Sequence, residues 1–564
     1  MSRRPSRPAG LVHNLAKHPG VPWLLAAAFA AAGLVAVQVN TFLNDEGVLT
    51  WIFAGLTSES PLDMLFFLKA RPSISVLYAP VAAIGLRPFL WAHVLLAALA
   101  IPLTASLARD FDHESPNFPA TLVALSPLYF ASAAAGVQNT DGTIGLLVAA
   151  WLLFRKRPIA AGLVVGVVVL ARVEAAFFAL ALAAYAVLTP GLRRFVGGAL
   201  AIPTIYVLLG ALYHGSLLWP LLYPSSVFSN PMIDPAARAQ YAGSLEDLIT
   251  TVLALTPVIG VLMWVSLRGP WSLESTLSAA VIGFILVIRV LPFTQLIYVD
   301  ASPRYALPAL PFLCLAASRA VDRWGHSWRN TFTRGALLLA IAGAVAAQIG
   351  GSTEALLTAT AGACVLSAAL AFWSKRAALT TLVAASAAGV VPLLPSTHLL
   401  LGDQARQLDE CVRWIASAHV PRDGVVVTDQ HLLGIWLAER APGLRVDVRH
   451  LVTPDMLYEV KTLANPARRQ FETVFGTARF SYAPWIFTEE IASLPGDVFF
   501  AMRTDVAGDR VRVLPEPLFD RIEWLVKRNW LGGRLIRDSV TATQPDASYA
   551  RAGATRGRRG GARR

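Results

Sequence analysis

Charged side chains are scarce in this chain. Asp, Glu, Lys and Arg make 15% of its 564 residues, where soluble globular domains carry about 25%. That depletion excludes an ordinary soluble enzyme for most of the length. Cysteine is nearly absent, with three residues. Cys314 and Cys364 lie in apolar runs and Cys411 stands alone, so neither a disulfide framework nor a cysteine metal site is supported by spacing. A glycine-rich phosphate loop and internal repeats are also missing, which argues against P-loop chemistry and solenoid folds.

What fills the chain is apolar. The hydrophobic share is 55% and the mean hydropathy is +0.54. Apolar runs dominate up to about residue 400, near 21–39, 90–108, 118–135, 141–154, 159–172, 175–190, 195–213, 247–266, 275–294, 305–321, 335–350, 354–373 and 377–399. This predicts an α-helical polytopic membrane protein with about thirteen transmembrane helices. The first run follows a basic segment holding Arg3, Arg4, Arg7 and Lys17. It is long for the apolar region of a signal peptide and many runs follow, so an uncleaved first helix is expected.

The net charge of +12 would suit nucleic acid or anionic lipid, but its placement excludes a nucleic-acid role. Many basic residues lie in short loops between apolar runs, where they set topology. Six more crowd the last stretch, from Arg551 to Arg564, and predict a disordered basic tail over 541–564 that touches phospholipid headgroups. With the N-terminus (1–20) inside, the outer segments before residue 400 hold only Lys69, Arg71, Arg87, Arg172, Arg238 and Arg304. The inner loops hold far more, and thirteen spans then place the C-terminal part outside. One loop dissents, because Asp110, Asp112 and Glu114 make an inner connection acidic.

The body over 21–400 includes two long outer segments, 41–89 and 214–246. The first is expected to lie partly in the membrane interface as amphipathic helices, and long ordered loops of this kind commonly carry function. Beyond residue 400 charge becomes regular, and 401–540 reads as an extracytoplasmic α/β domain. A helix is expected over 405–418 with Leu408, Cys411, Val412 and Ile415 on one face, then a strand at Val425–Val427. A helix over 432–440 and strands at 444–448 and 498–502 follow.

The sharpest chemical feature is Asn44-Asp45-Glu46-Gly47, just past the first span. Adjacent carboxylates at a membrane surface can supply a general base for an acceptor hydroxyl, with the second acid orienting that acceptor or holding a cation. Solvated acids at a helix N-cap would look the same. Asp141, in Gln138-Asn139-Thr140-Asp141-Gly142, tops another outer hairpin; it suits a turn or a cap, and stands at the same depth as Asp45. Arg304, Lys69 and Arg71 are cations on the disfavoured outer side, where guanidinium can grip phosphate oxygens bidentately or a basic side chain can simply snorkel. Arg172 and Glu174 flank a hairpin turn and can pair with each other. His214 and Tyr223 open the second outer segment, where contact with a sugar is one reading and plain surface another. Asp429 and His431 suit a cap at a strand end. Acids and bases gathered on one outer face point to a phosphate-linked, hydroxyl-bearing substrate.

These features together resemble the GT-C superfamily of polytopic glycosyltransferases that use polyprenyl-phosphate sugars. The family includes protein O-mannosyltransferases, aminoarabinose transferases of lipid A, and mycobacterial arabinosyl- and mannosyltransferases. The similar elements are Asp45-Glu46 after the first span, the long first outer loop, Arg304-Tyr305-Ala306-Leu307-Pro308-Ala309-Leu310-Pro311 opening a span, and Gly215-Ser216-Leu217-Leu218-Trp219-Pro220 opening the second loop. Bacterial members often carry Arg-Pro-Glu-Gly where this chain has Arg172-Val173-Glu174-Ala175, and no Trp-Trp-Asp signature of oligosaccharyltransferases is present.

The resemblance implies an inverting transfer at the outer face of a bacterial inner membrane. Asp45 would act as general base with Glu46 beside it, while Arg304, Tyr305, Arg71, Lys69, Asp141 and His214 bind substrate. The partners implied are a polyprenyl-phosphate sugar donor, a glycan, lipid or protein hydroxyl acceptor, and membrane lipids. No cofactor is required by the pattern, although some relatives need a divalent cation such as Mg2+ or Mn2+, for which Asp45, Glu46 and Asp141 are the candidates. A flippase of lipid-linked sugars would need ionisable residues deep in the membrane, and here Arg289 is the main one. A non-catalytic scaffold would not need the acid pair.

Overall fold

The computed structural model describes residues 17–39, 45–66, 71–222, 303–349, 354–390, 403–451, 485–503 and 516–536, apart from a few positions within them. It is mostly helical. Three of its helical stretches, Val21–Val39, Leu86–Asp110 and Leu192–His214, are long and apolar enough to cross a membrane. The spans expected over 247–266 and 275–294 and the basic tail lie outside the described residues.

The elements that build the site begin with α1 (Val21–Val39) and α2 (Asp45–Glu59), followed by α3 (Pro72–Ala82) and α4 (Leu86–Ala98). Then come α5 (Pro127–Ala134), α6 (Asn139–Phe154), α7 (Pro158–Ala171) and α8 (Leu192–His214). Proline at the first position starts α3, α5 and α7, since its fixed φ suits that position and no amide there needs a partner.

One expected span changes. The run over 118–135 is not one span but two short helices, Asn117–Ala124 and α5. Pro127 holds Ser126 extended at φ −77°, ψ 115°, and the Ser126 hydroxyl caps the second helix by accepting from the Tyr129 amide. Within the outer segment 41–89, α2 is a helix whose Val48, Trp51 and Ala54 lie in the main apolar core. The Trp51 indole donates to Ala82 O at 3.1 Å, tying α2 to the end of α3.

The acidic loop is satisfied by its neighbours. Asp110 lies 3.6 Å from Arg155, and Arg319 donates to the carbonyls of Phe111 and Asp112. His113 meets Ser318 and Asp322 at 3.1 and 3.2 Å. Acid and base thus share one surface.

Helices α7 and α8 touch backbone to backbone. A Cβ on Gly162 would stand 2.1 Å from Phe195 O, and one on Gly198 2.4 Å from Ile159 O. Small residues permit this approach in apolar surroundings. Gly162→Leu is therefore expected to cost at least about 2 kcal/mol by forcing the helices apart. Gly197→Ala, on the partner helix α8 but with nothing within 4 Å among the described residues, should be neutral or slightly stabilising. Thermal unfolding of the two variants in detergent checks the contrast.

The C-terminal part contains a sheet of order β3-β2-β1-β4-β6-β5. Its strands are β1 (Val425–Thr428), β2 (Asp447–Leu451), β3 (Trp485–Ile486), β4 (Val498–Arg503), β5 (Ile522–Lys527) and β6 (Trp530–Leu535). The first four run parallel, while β6 and β5 add antiparallel on the β4 side. Strand alternation divides the two faces. Val426, Phe499 and Ala501 join the core holding Leu408, Cys411 and Trp436, whereas Val427, Phe500 and Met502 join the other. The helix expected over 405–418 is Asp403–Trp414 plus one wider turn. The strand expected at 444–448 is shifted to 447–451, because Asp447 is the residue that pairs with Val425. Burial pushes the Cys411 thiol above its ordinary range, leaving it a packed, protonated group.

Candidate functional site

The site grows from the turn between α5 and α6. Gly136 adopts φ 71° there, a left-handed conformation that glycine takes without strain. The opening of α2 is seated on this turn. A Cβ on Gly47 would stand 1.8 Å from Ala135 O, so only glycine lets the two backbones meet. Asp45 and Glu46 are the first residues of α2, which places them at this junction. Their side chains lie outside the described residues.

Arg71 approaches from the other direction. It stands just before α3 in a left-handed conformation, φ 52°, and its guanidinium donates to the side-chain amide oxygen Oε1 of Gln138. Gln138 is the residue before α6, so Arg71 is fixed at that helix's N-terminal end, where backbone N–H groups favour anions.

The first turn of α6 is buried. Asn139 and Thr140 are wholly enclosed and Asp141 is 8% exposed. Asp141 is neither a solvated turn acid nor a free carboxylate. Tyr78 on α3 donates to Oδ1 at 2.6 Å, and His93 on α4 lies 3.2 Å from Oδ2. His93 Nδ1 faces Ala133 O at 2.7 Å, and a carbonyl oxygen only accepts, so Nδ1 carries a proton. His93 Nε2 also meets Thr140 Oγ1 at 3.0 Å, and that hydroxyl gives its own proton to Val137 O. Tyr78, His93 and Thr140 thus meet around Asp141, and the contacts bind α3, α4 and α6 into a unit.

Two more arginines reach α6. Arg172, 4% exposed, is extended at the end of α7, and its stem would lie 3.9 Å from a Cβ on Gly142. Sequence reasoning had it pairing with Glu174, which lies outside the described residues, and missed its position beside α6. Arg304 sits in the 3-10 segment Pro303–Ala309, which packs on α5 and α6. The side chain of Tyr305 and all of Lys69 lie outside the described residues.

His214 belongs elsewhere. Its Nε2 lies 3.2 Å from Phe66 O, and its ring stacks on Trp219 at 4.9 Å and meets Tyr213 edge-on at 4.8 Å. This aromatic cluster joins the chain before residue 67 to the end of α8. Among the described residues no group of three His, Cys, Asp or Glu could hold a metal. Asp141 already meets Tyr78 through Oδ1 and His93 through Oδ2. His93, Gln138 and Asn139 were also missed; the only sequence signal was a polar residue inside an apolar run.

The start of α2 and Arg71 meet the turn that opens α6, Arg172 lies beside the first turn of α6, and the segment carrying Arg304 packs on α5 and α6. Backbone N–H groups at such a helix start favour an anion.

The fold has solved counterparts. It is the fold of ArnT from Cupriavidus metallidurans, whose apo crystal structure superposes with a TM-score of 0.58 at 13% identity, over 91% of this chain and 97% of that one. The crystal structure of ArnT from the same organism bound to undecaprenyl phosphate gives a TM-score of 0.54 at 16% identity, over 93% and 99%. No family model matches the sequence, and no curated protein does. The chain is a membrane protein with an ArnT-like fold.

Proposed function

We propose that this protein is a GT-C type glycosyltransferase. It moves a sugar from a polyprenyl-phosphate donor to a hydroxyl on a glycan, lipid or protein, at the outer face of a bacterial inner membrane. The observation that carries the reading is the seating of the Asp45-Glu46 helix start on the turn before α6, where Arg71 also arrives, with Arg172 beside the first turn of α6 and the Arg304 segment packed on α5 and α6. The ArnT structure with undecaprenyl phosphate supports a polyprenyl phosphate as the lipid.

Asp45 takes the proton of the acceptor hydroxyl as its oxygen forms a bond to the anomeric carbon. The bond from that carbon to the phosphate oxygen breaks on the opposite side, and the polyprenyl phosphate leaves with the electron pair. The arginines offset its charge, and holding both reactants lowers the barrier further. Inversion follows from attack opposite the leaving group. A divalent cation, if used, would rest on Asp45 and Glu46 and supply charge neutralisation. The N-terminus lies inside and the α/β domain outside.

The supporting experiment is lipid binding. The purified protein should hold polyprenyl phosphate at least about tenfold more tightly than polyprenol of the same length, since charge-assisted bonds to the phosphate are lost in the alcohol. Equal affinity would remove the phosphate from the site.

A further inference from the structure

Asn139 is the most anomalous side chain in the body. It is 0% exposed, and neither its Oδ1 nor its Nδ2 meets a hydrogen-bonding partner among the described residues. Buried polar atoms without partners are rare and costly, and each calls for an explanation. Its neighbours are fully engaged: Gln138 by Arg71, and Thr140 and Asp141 by His93 and Tyr78.

Its position on α6 shows where it lies. Residues 139 and 142 are three apart and share a helix face, and Gly142 is the residue beside the Arg172 stem. Asn139 therefore lies on the Arg172 face of the first turn, adjoining the residue that holds Arg71. It stands among the groups assigned above to the donor's phosphate.

We infer that Asn139 reads a hydroxyl of the sugar on the lipid donor, and so contributes to donor specificity; this rests on the glycosyltransferase reading of the same site. The chemistry of the side chain selects the ligand. A carboxamide leaves one acceptor and two donor hydrogens to fill. Phosphate can only accept and would satisfy Nδ2 alone. A sugar hydroxyl donates to Oδ1 while a neighbouring oxygen accepts from Nδ2, so a polyol satisfies both atoms. Asn139 is then paired when the sugar is bound and unpaired when it is not, which explains a polar residue retained in an apolar body at a cost to stability.

The test uses full-length protein in nanodiscs and two probes, polyprenyl phosphate and polyprenyl phosphate carrying mannose or arabinose. The variants are Asn139→Ala and the near-isosteric Asn139→Leu. Wild type should bind one sugar-bearing lipid at least about tenfold more tightly than the bare lipid, as expected for a site built to hydrogen-bond a hydroxyl. Both variants should lose that difference while keeping wild-type affinity for the bare phosphate. Asn139→Leu should also raise the unfolding temperature of the lipid-free protein, because it removes the unpaired amide.

Retention of the sugar preference in both variants would overturn the inference and leave the glycosyltransferase reading intact, as would unchanged affinities that assign Asn139 to a bound water. An equal loss for both lipids would make Asn139 a structural residue and overturn it too. Wild type that binds bare and sugar-bearing lipids alike would overturn the inference together with the reading beneath it.

Discussion

Asp45→Asn is expected to lower sugar transfer by about a thousandfold and to leave the affinity for polyprenyl phosphate near that of wild type. The size follows from removing a general base, which contributes about 10²–10⁴-fold. The specificity follows from the position. Asp45 opens α2, and asparagine serves as well as aspartate at a helix start, so the seat of Gly47 on Ala135 O is undisturbed. Glu46 does not replace it, because adjacent helical residues point about 100° apart and only one can face a given acceptor oxygen. Glu46→Gln should accordingly retain much of the activity. Single-turnover transfer and lipid binding on the same samples separate chemistry from binding. A variant that also loses the lipid would show that Asp45 supports the fold or the donor instead.

Asp141→Ala is expected to destabilise the body by about 3–5 kcal/mol, the cost of breaking a buried charged network by removing one partner. The loss strands two groups at once. Tyr78 keeps a hydroxyl with no carboxylate to receive it, and His93, held through Nδ1 on Ala133 O, loses the carboxylate beside its Nε2. Tyr78→Phe removes only one donor and should cost about 1 kcal/mol. In the double variant the Tyr78→Phe increment should vanish, because its partner is already gone. Thermal unfolding of the four proteins in detergent measures the cycle. Full additivity would mean that Tyr78 and Asp141 do not act together.

The body was legible in the sequence because apolar length is a strong signal. The runs at 21–39, 141–154 and 195–213 correspond to α1, α6 and α8. The break at Ser126-Pro127 was missed since apolar residues continue through it, although proline was the available clue. In the α/β domain the run at 425–427 was clear. The β5–β6 pair was hidden by Gly532 and Gly533, which have no side chains to show alternation and are packed against Trp530 and Ile522.

The site was only half legible. Asp45, Arg71, Arg304 and Asp141 stand out as charges in apolar surroundings. Their partners do not. Nothing local connects Arg71 to Gln138, 67 residues away, or Tyr78 to Asp141, 63 away. His214 drew attention for its loop position, but its packing against Phe66 and Trp219 was not legible locally.

The most direct measurement is sugar transfer by the purified wild-type protein in proteoliposomes. It would use a panel of labelled polyprenyl-phosphate sugars, with an envelope extract as acceptor. Label passing from one donor into an acceptor, with loss in Asp45→Asn, is the result this account predicts. No transfer from any donor, with the labelled lipid crossing the bilayer intact, would contradict it and make the protein a transporter of lipid-linked sugar.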